Sequence, residues 1–561
     1  MKILFIVPFD HVSFLHGTYI MPLGLISLAT ILKENNKDVE IIDFNYLFFN
    51  NIVEYSKDQG KNMETMAEYI LGKSPDIIGF TCVSVTFHHV LFLSRLIKNK
   101  NNNIKIISGG PQASNFSEKI LENFPWIDLI CRGEGEHKIL HIIKGLETDD
   151  LTDVPGIIYR NNDIISENAD IPLIEDMDTL PLLNYALSPG GYEGKISMEI
   201  SRGCPYNCIF CSTSKYWKRK FRVKSIERIC REISLIKEAI PDNHKLCINF
   251  IDDNFTTNHN FIMNLCAELR KFDITWTCNG RLNTLNEELI KQMALSGCRS
   301  VFMGIESGSP RVQKYINKNL NLEKVNSIFD TILKYNIKPT VSFVYGFPGE
   351  TEEELNLTLN MIYSLLKKGV YLCRLHSLCV ITGTKLFEDH KDNLILGNLM
   401  LKDFYSDPAE GANFEDCRAL IMKDKKLFPH FYTLKDSLCE KYSMLDKFVN
   451  FIFKLYNFFP ETITSLVSLF NDDILSFHKD FLSNTQKFAD FYNNNEHLNI
   501  IMKDGSPVKN SELGKQVIIF LTEYINNKSL SDFSFNIISH KFCEEIDHKA
   551  GKISLLPAVQ E

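Results

Sequence analysis

Short apolar runs alternate with amphipathic stretches over the first 145 residues. The runs at residues 2–7, 39–43, 77–81, 104–108 and 127–131 are largely apolar. Such runs predict strands covered on both faces, since a strand with one wet face would alternate. Between the first two, Pro22-Leu23-Gly24-Leu25-Ile26-Ser27-Leu28-Ala29-Thr30-Ile31-Leu32 predicts a helix. This strand–helix–strand rhythm implies a doubly wound parallel sheet. The rhythm resumes at residue 196, with strands predicted at 196–200, 246–251, 275–278, 300–304, 340–345 and 371–378. Ser225 caps the helix after the first of these, and Ile226, Ile229, Ile233, Ile236 and Ile240 share one of its faces. Six such units imply an open, partial (β/α)₆ barrel with its site at the carboxyl ends of the strands.

Between the two regions lies a short strand candidate at 156–159, followed by the Pro- and acid-containing stretch Ile174 to Leu182, an extended crossing segment. Beyond residue 400 the chain is rich in Phe, Leu and Asn, with amphipathic helices predicted at 445–459 and 513–524. The expected architecture is therefore α/β. A Rossmann-like domain (1–145) and a linker (146–195) precede the partial barrel (196–400), and a mostly helical cap over the barrel mouth (401–561) follows.

Charge and cysteine usage narrow the function. Lys and Arg total 61 against 70 Asp and Glu, a net charge of −9, which argues against a nucleic-acid partner. Twelve of the 15 cysteines are scattered outside one loop, a pattern of buried thiols in a reducing compartment. The N-terminus lacks the length of a signal peptide, and no apolar run reaches the ~20 residues that span a bilayer. A cytoplasmic enzyme without a membrane span is expected.

The chemistry centres on Arg202-Gly203-Cys204-Pro205-Tyr206-Asn207-Cys208-Ile209-Phe210-Cys211. Three thiols in CxxxCxxC spacing suit three irons of a [4Fe–4S] cluster and leave the fourth iron open. A zinc knuckle would need a fourth ligand, usually from a second CxxC pair, and there is none. The loop resembles that of the radical S-adenosylmethionine (SAM) superfamily. The resemblance implies that Cys204, Cys208 and Cys211 hold the cluster, that SAM chelates the open iron, and that Phe210 packs against the adenine. Asp252 and Asp253 follow the second barrel strand, where the family holds the SAM ammonium. Arg281 follows the third and is expected to meet the SAM carboxylate. Glu306 ends the fourth in Gly304-Ile305-Glu306-Ser307-Gly308, which resembles the ribose-binding motif. Gly346 opens Gly346-Phe347-Pro348-Gly349-Glu350-Thr351, similar to the adenine-side turn. Thr351 and Glu354 also form a capping box, which accounts for part of that polarity.

The strand ends of the first region carry Gly79-Phe80-Thr81-Cys82-Val83-Ser84, Gly109-Gly110-Pro111 and Arg132-Gly133-Glu134-Gly135-Glu136. Doubly wound sheets bind ligands at such ends. With the Pro-Leu-Gly-Leu helix, these turns resemble the cobalamin-binding domain of one branch of the superfamily. The resemblance implies that Gly109 and Gly110 admit the cobalamin nucleotide tail, that Thr81 and Ser84 contact the tail or its phosphate, and that Gly133 and Glu134 belong to the same site. The loop at Asp10-His11 departs from the Asp-x-His-x-x-Gly motif of proteins that ligate cobalt from below, so no histidine is expected on cobalt; His11, His16, His88 and His89 stay as alternatives.

The resemblance implies a cobalamin-dependent radical SAM enzyme. The leading expectation is a C-methyltransferase working through a 5′-deoxyadenosyl radical and methylcobalamin on an unactivated carbon. Ring contraction, cyclisation or oxidation with the same cofactors is an alternative, as is a cobalamin sensor with an inert cluster. A tRNA methylthiotransferase would need further cluster cysteines, and only Cys82 and Cys131 precede residue 200. Expected partners are a small-molecule or peptide substrate and an external electron donor such as flavodoxin or ferredoxin.

Overall fold

The computed structural model describes residues 1–9, 21–56, 58–161, 164–190, 195–239, 245–370, 372–396, 415–442, 445–456, 460–471, 473–484 and 524. The expected helix at 513–524 therefore lies, except for Tyr524, outside the described residues, as do His11 and His16.

The first sheet contains β1 (Lys2–Val7), β2 (Asp38–Asp43), β3 (Ile77–Thr81), β4 (Lys105–Gly109) and β5 (Leu129–Cys131), in the order β2-β1-β3-β4-β5, all parallel. Its side chains explain the apolar runs: Ile3, Leu4, Ile6, Ile77, Ile78 and Ile106 are completely buried. The order reverses between β1 and β3, which opens a crevice at their carboxyl ends. Two further strands, β6 (Ile157–Asn161) and β7 (Ile164–Glu167), extend the sheet antiparallel from β5. The first sheet thus continues past residue 145. The apolar Ile157 and Ile158 complete the sheet edge against β5, so the segment read as linker first serves the sheet.

The second sheet has β8 (Lys195–Met198), β9 (Cys247–Phe250), β10 (Thr275–Gly280), β11 (Cys298–Glu306), β12 (Lys338–Tyr345) and β13 (Leu372–Ser377), parallel and in sequence order. The barrel is open: β8 and β13 do not pair. The helix Ile226–Ala239 covers it as the isoleucine spacing predicts. Ser225 Oγ accepts a hydrogen bond from Arg228 N at 3.1 Å, and Ile229, Ile233 and Ile236 are buried. Each such isoleucine contributes about 1.5–3 kcal/mol.

An open sheet leaves a free edge, and a free edge invites pairing with other chains. Here the helix Leu445–Tyr456 covers it. Asn450 Oδ1 accepts from Leu375 N and its Nδ2 donates to Leu375 O, both at 2.9 Å, so one amide imitates a neighbouring strand. The helix Leu445–Tyr456 thus packs along the barrel edge, while Cys439 Sγ donates to Tyr345 O at 3.1 Å at the carboxyl end of β12. The C-terminal region also contains a strand pair absent from the helical expectation: Leu394–Leu396 runs antiparallel to Tyr432–Leu434. The aromatic stretch Leu427 to Tyr432 is buried, with Phe428 stacked on Phe87 at 5.4 Å and Phe431 edge-on to His88 at 5.0 Å. It packs in the core between the C-terminal region and the first sheet's helix Phe87–Lys100. Among the described residues no helix is long and apolar enough to cross a membrane.

The turn after β12 is closed from within. Gly346 has φ +91°, and a Cβ there would overlap the Cys439 sulfur. Glu350 Oε2 accepts from Gly346 N at 2.6 Å and Phe347 N at 3.3 Å, while Oε1 is buried without a partner. Burial pushes this carboxyl up to about 7, against the two backbone donors, which pull it down.

Two measurements check these readings. Asn450→Ala leaves the Leu375 amide and carbonyl without partners and lowers stability by about 2 kcal/mol in urea unfolding. For Glu350 the folded-state pKa lies above the unfolded one. Its stabilising share is full below about pH 4.5 and is lost as pH rises through about 7. Glu350→Gln, which keeps both backbone bonds, is expected to lose less stability than wild type between pH 5 and pH 8.

Candidate active site

The carboxyl ends of β1, β3, β4 and β5 border a cavity of about 510 Å³. Thr81, Gly109, Gly110, Gly133 and Glu134 line it, as do Met21 to Leu25. Gly110 has φ +97°, and a Cβ there would stand 2.8 Å from Cys82 O, so only glycine keeps this wall open. Ser84 is elsewhere: its hydroxyl donates to Gln112 Oε1 at 2.8 Å. Gln112 also accepts from Thr382 Oγ1 at 2.9 Å and donates to Leu427 O at 2.8 Å, so Ser84 belongs to a seam between regions. His88 and His89 are buried in the helix behind, His89 Nδ1 lying 2.9 Å from Phe9 O. Neither is among the residues lining the cavity.

The opposite wall comes from the barrel: Glu199, Arg202, Tyr216 and Trp217. Arg202 sits two residues before Cys204, so wall and cysteine loop are one piece of chain. Its guanidinium takes three carboxylates, Glu134 and Glu136 at 2.7 Å and Glu199 at 2.9 Å. Arg222 reaches Glu134 at 2.9 Å and donates to Ile174 O at 2.6 Å, and Trp217 lies 5.0 Å from the Arg222 guanidinium. Glu134, Glu136, Arg202 and Arg222 are buried, and Glu199 and Trp217 are half-buried. Burial pushes Glu136 up, but Arg202 outweighs it and holds the carboxyl below its ordinary range. Burial prevails at Glu199, which is raised despite Arg202. The Gly-Glu-Gly-Glu turn, read as a cobalamin contact, is therefore also the clamp between the two sheets. The signal was Arg202 itself, an arginine that no SAM contact required.

The cysteine loop leaves β8 through a short ribbon of Ser201–Arg202 with Arg222–Val223. Gly203 has φ +94°, and a Cβ there would overlap Lys220 O. Asp252 Oδ1 accepts from Ile200 N at 3.1 Å, from Ser201 Oγ at 2.7 Å and from Ser201 N. Asp253 accepts from Gly203 N at 3.0 Å and Thr213 Oγ1 at 3.3 Å. These bonds pin the loop to the end of β9. Asp252 Oδ2 is left buried without a partner, and burial pushes the carboxyl up to about 7.

Arg281 points at the same loop. It donates to Cys208 Sγ at 3.7 Å and to Lys318 O, and stands 3.9 Å over the Tyr206 ring. The carboxylate-binding expectation meets an arginine already engaged with the Cys208 thiol and the Lys318 carbonyl, which leaves its buried Nε as the nitrogen without a partner. Burial, then mutual repulsion among the thiols, raises Cys204 and Cys211. Three sulfurs that repel one another beside a cation suit a polynuclear cluster taking one thiolate per iron. Among the described residues no three His, Cys, Asp or Glu side chains converge closely enough for a single ion.

Glu306 ends β11 at a bulge with φ +71° and binds Lys318 at 2.5 Å. Lys318 Nζ lies 5.9 Å from the Phe210 ring, and Phe210 lies 5.9 Å from Phe347 of the Gly346 turn. Phe210, Glu306 and Gly346 are thus drawn toward one point. Lys318 was missed by sequence reading; it follows a short helix and carries no motif.

Comparison with known proteins agrees with this geometry. Residues 198–362 match the family model for the radical SAM superfamily, and residues 16–143 match that for the B12 binding domain. An uncharacterized methyltransferase of Pyrococcus horikoshii is 31% identical over 376 residues, 65% of this chain and 78% of that protein. The anaerobic magnesium-protoporphyrin IX monomethyl ester cyclase of Cereibacter sphaeroides is 26% identical over 54% of this chain and 51% of its own. Among solved structures, the cobalamin-dependent SAM radical enzyme OxsB aligns over 99% of this chain and 82% of its own with TM-score 0.60 at 16% identity. The radical SAM methyltransferase TsrM of Kitasatospora setae covers 79% and 87% with TM-score 0.59, also at 16% identity. These likenesses share the fold described above. A cavity at the strand ends of the first sheet, a three-thiol loop that starts two residues from its wall, and both family models matched in tandem mean that this chain belongs to the cobalamin-dependent radical SAM enzymes.

Proposed function

We propose that this chain is a C-methyltransferase that places a methyl group on an unactivated carbon. The observation that carries the reading is the shared wall, with Arg202 lining the cavity two residues before the first thiol. When bound, the cluster and SAM supply a carbon radical able to take a hydrogen atom, and cobalamin supplies the methyl group. Cys204, Cys208 and Cys211 hold the cluster. Asp252 Oδ2, buried and unpartnered, is the acceptor for the SAM ammonium. Phe210 and Phe347 flank the adenine, and Glu306, oriented by Lys318, accepts from the ribose hydroxyls. Thr81, Gly109, Gly110 and Gly133 admit the corrinoid. Glu134 and Arg202 hold the two cofactor sites in one orientation. By this reading the cobalamin-binding unit ends with β7, and the barrel spans residues 195–377.

A second hollow, of about 540 Å³, is lined by Cys208, Cys211, Lys215, Lys218, Arg219 and Lys385, with Glu388 and Asp389 beside them. Its basic excess next to the thiols supports an acidic one-electron donor such as flavodoxin or ferredoxin, in the reducing cytoplasm. The cyclase relative favours a second reading, ring formation without methyl transfer.

Anaerobic turnover with methyl-labelled SAM distinguishes the two. Label in the product is expected; 5′-deoxyadenosine with unlabelled product would favour the second. Cys208→Ala is expected to reduce 5′-deoxyadenosine formation to background. Arg202→Ala strands buried carboxylates and lowers stability by about 3–5 kcal/mol in urea unfolding, with loss of corrinoid on gel filtration.

A further inference from the structure

The barrel strands present two unlike faces. Cys278, Val301, Val341 and Cys373 are buried, and cross-strand register puts the first two opposite each other, as it does the last two. Trp276, which shares the face of Cys278, donates to Ser296 O beyond the helix Glu287–Leu295, so this row faces the helices. The alternate row faces the lumen. Asn279 pairs with Phe302, Ser342 with Arg374, and Val344 with His376. Phe302 is 40% exposed although it lies in a central strand, so the lumen is open space.

Arg374 is out of keeping with this lining. It is exposed between two buried neighbours, Cys373 and Leu375, at 2% and 0%. Among the described residues it has no hydrogen bond, ion pair or ring contact. Glu306 is the one acid in the six strands, and it binds Lys318. Desolvation lowers the Arg374 pKa, as expected for a cation in a concave chamber without a counter-ion. Burial, then the charge of Arg374, pushes His376 down to about 4, so that ring is neutral beside it. A guanidinium without a partner in a chamber, with an apolar ring two residues below it and a neutral imidazole two residues above it, fits a ligand with an acid end and an apolar body.

We propose that Arg374 receives an oxyanion of the substrate, a carboxylate or phosphate, in the barrel lumen. This rests on the chamber being where the radical meets its substrate. Arg374 lies three residues below the strand end at Ser377, about 10 Å at 3.3 Å per residue. A substrate anchored there extends its reacting carbon past His376 to the mouth.

Anaerobic titration calorimetry of the full-length, cluster-loaded protein with inorganic phosphate and with acetate tests this. Wild type is expected to bind at least one, the tighter naming the oxyanion. Arg374→Gln should weaken it by about tenfold or more, and Arg374→Lys should recover part of the loss. SAM affinity, titrated in the same samples, should stay unchanged. Binding of neither anion by wild type, or equal binding by Arg374→Gln, overturns the proposal. A parallel loss of SAM affinity also overturns it, because the guanidinium would then serve the SAM carboxylate. If wild type made no 5′-deoxyadenosine yet bound the anion, the radical reading would fail and the anion site would stand.

Discussion

One guanidinium holds the enzyme together. Arg202 pairs with three carboxylates, two from the first sheet and one from the barrel, of which Glu134 is shared with Arg222. Buried charge is costly unless fully paired, so the cluster of charges permits one relative placement of the sheets and penalises the others. A lysine could not replace it, since three separate acceptors need the planar fork. Trp217 and Arg222 complete the shell, and Arg202, Trp217 and the three carboxylates also line the cavity. The placement of one cofactor site against the other follows from that pairing.

A second constraint acts on the thiol loop. Asp252 and Asp253 tie its start to the end of β9, and Arg281 bridges it to Lys318 O. Gly203 adopts a backbone conformation that leaves no room for a side chain. The thiols are therefore held by neighbours that are themselves held, which is how a site keeps its geometry without being rigid throughout.

The strands were legible because burial on both faces writes itself into short apolar runs, and the thiol loop because ligand spacing is local. β1 and β3 begin and end where the runs do. What escaped depends on partners remote in sequence. Glu134 looked like a ligand contact because its turn lies at a strand end; only the fold brings Arg202 and Arg222 to it. Asp252 and Arg281 looked free because nothing local shows that Ser201 and Lys318 O await them. β6 was foreseen as a strand at 156–159, but its pairing with β5 escaped, as did β7, since a two-strand extension reads like the start of a linker. Lys318 had no local pattern at all.

The seam at Gln112 and Phe428 has a temporal side. Gln112 and the Leu427 carbonyl it binds lie 315 residues apart in the chain. At about 5–20 residues per second, a ribosome needs roughly 15–60 s to travel between them. Throughout that interval Phe87 and its helix stand on a nascent domain without the aromatic segment that finally covers them. The first half must wait, unfinished, for the segment near residue 427 to be made, so its yield in a cell depends on what shields that face in the meantime.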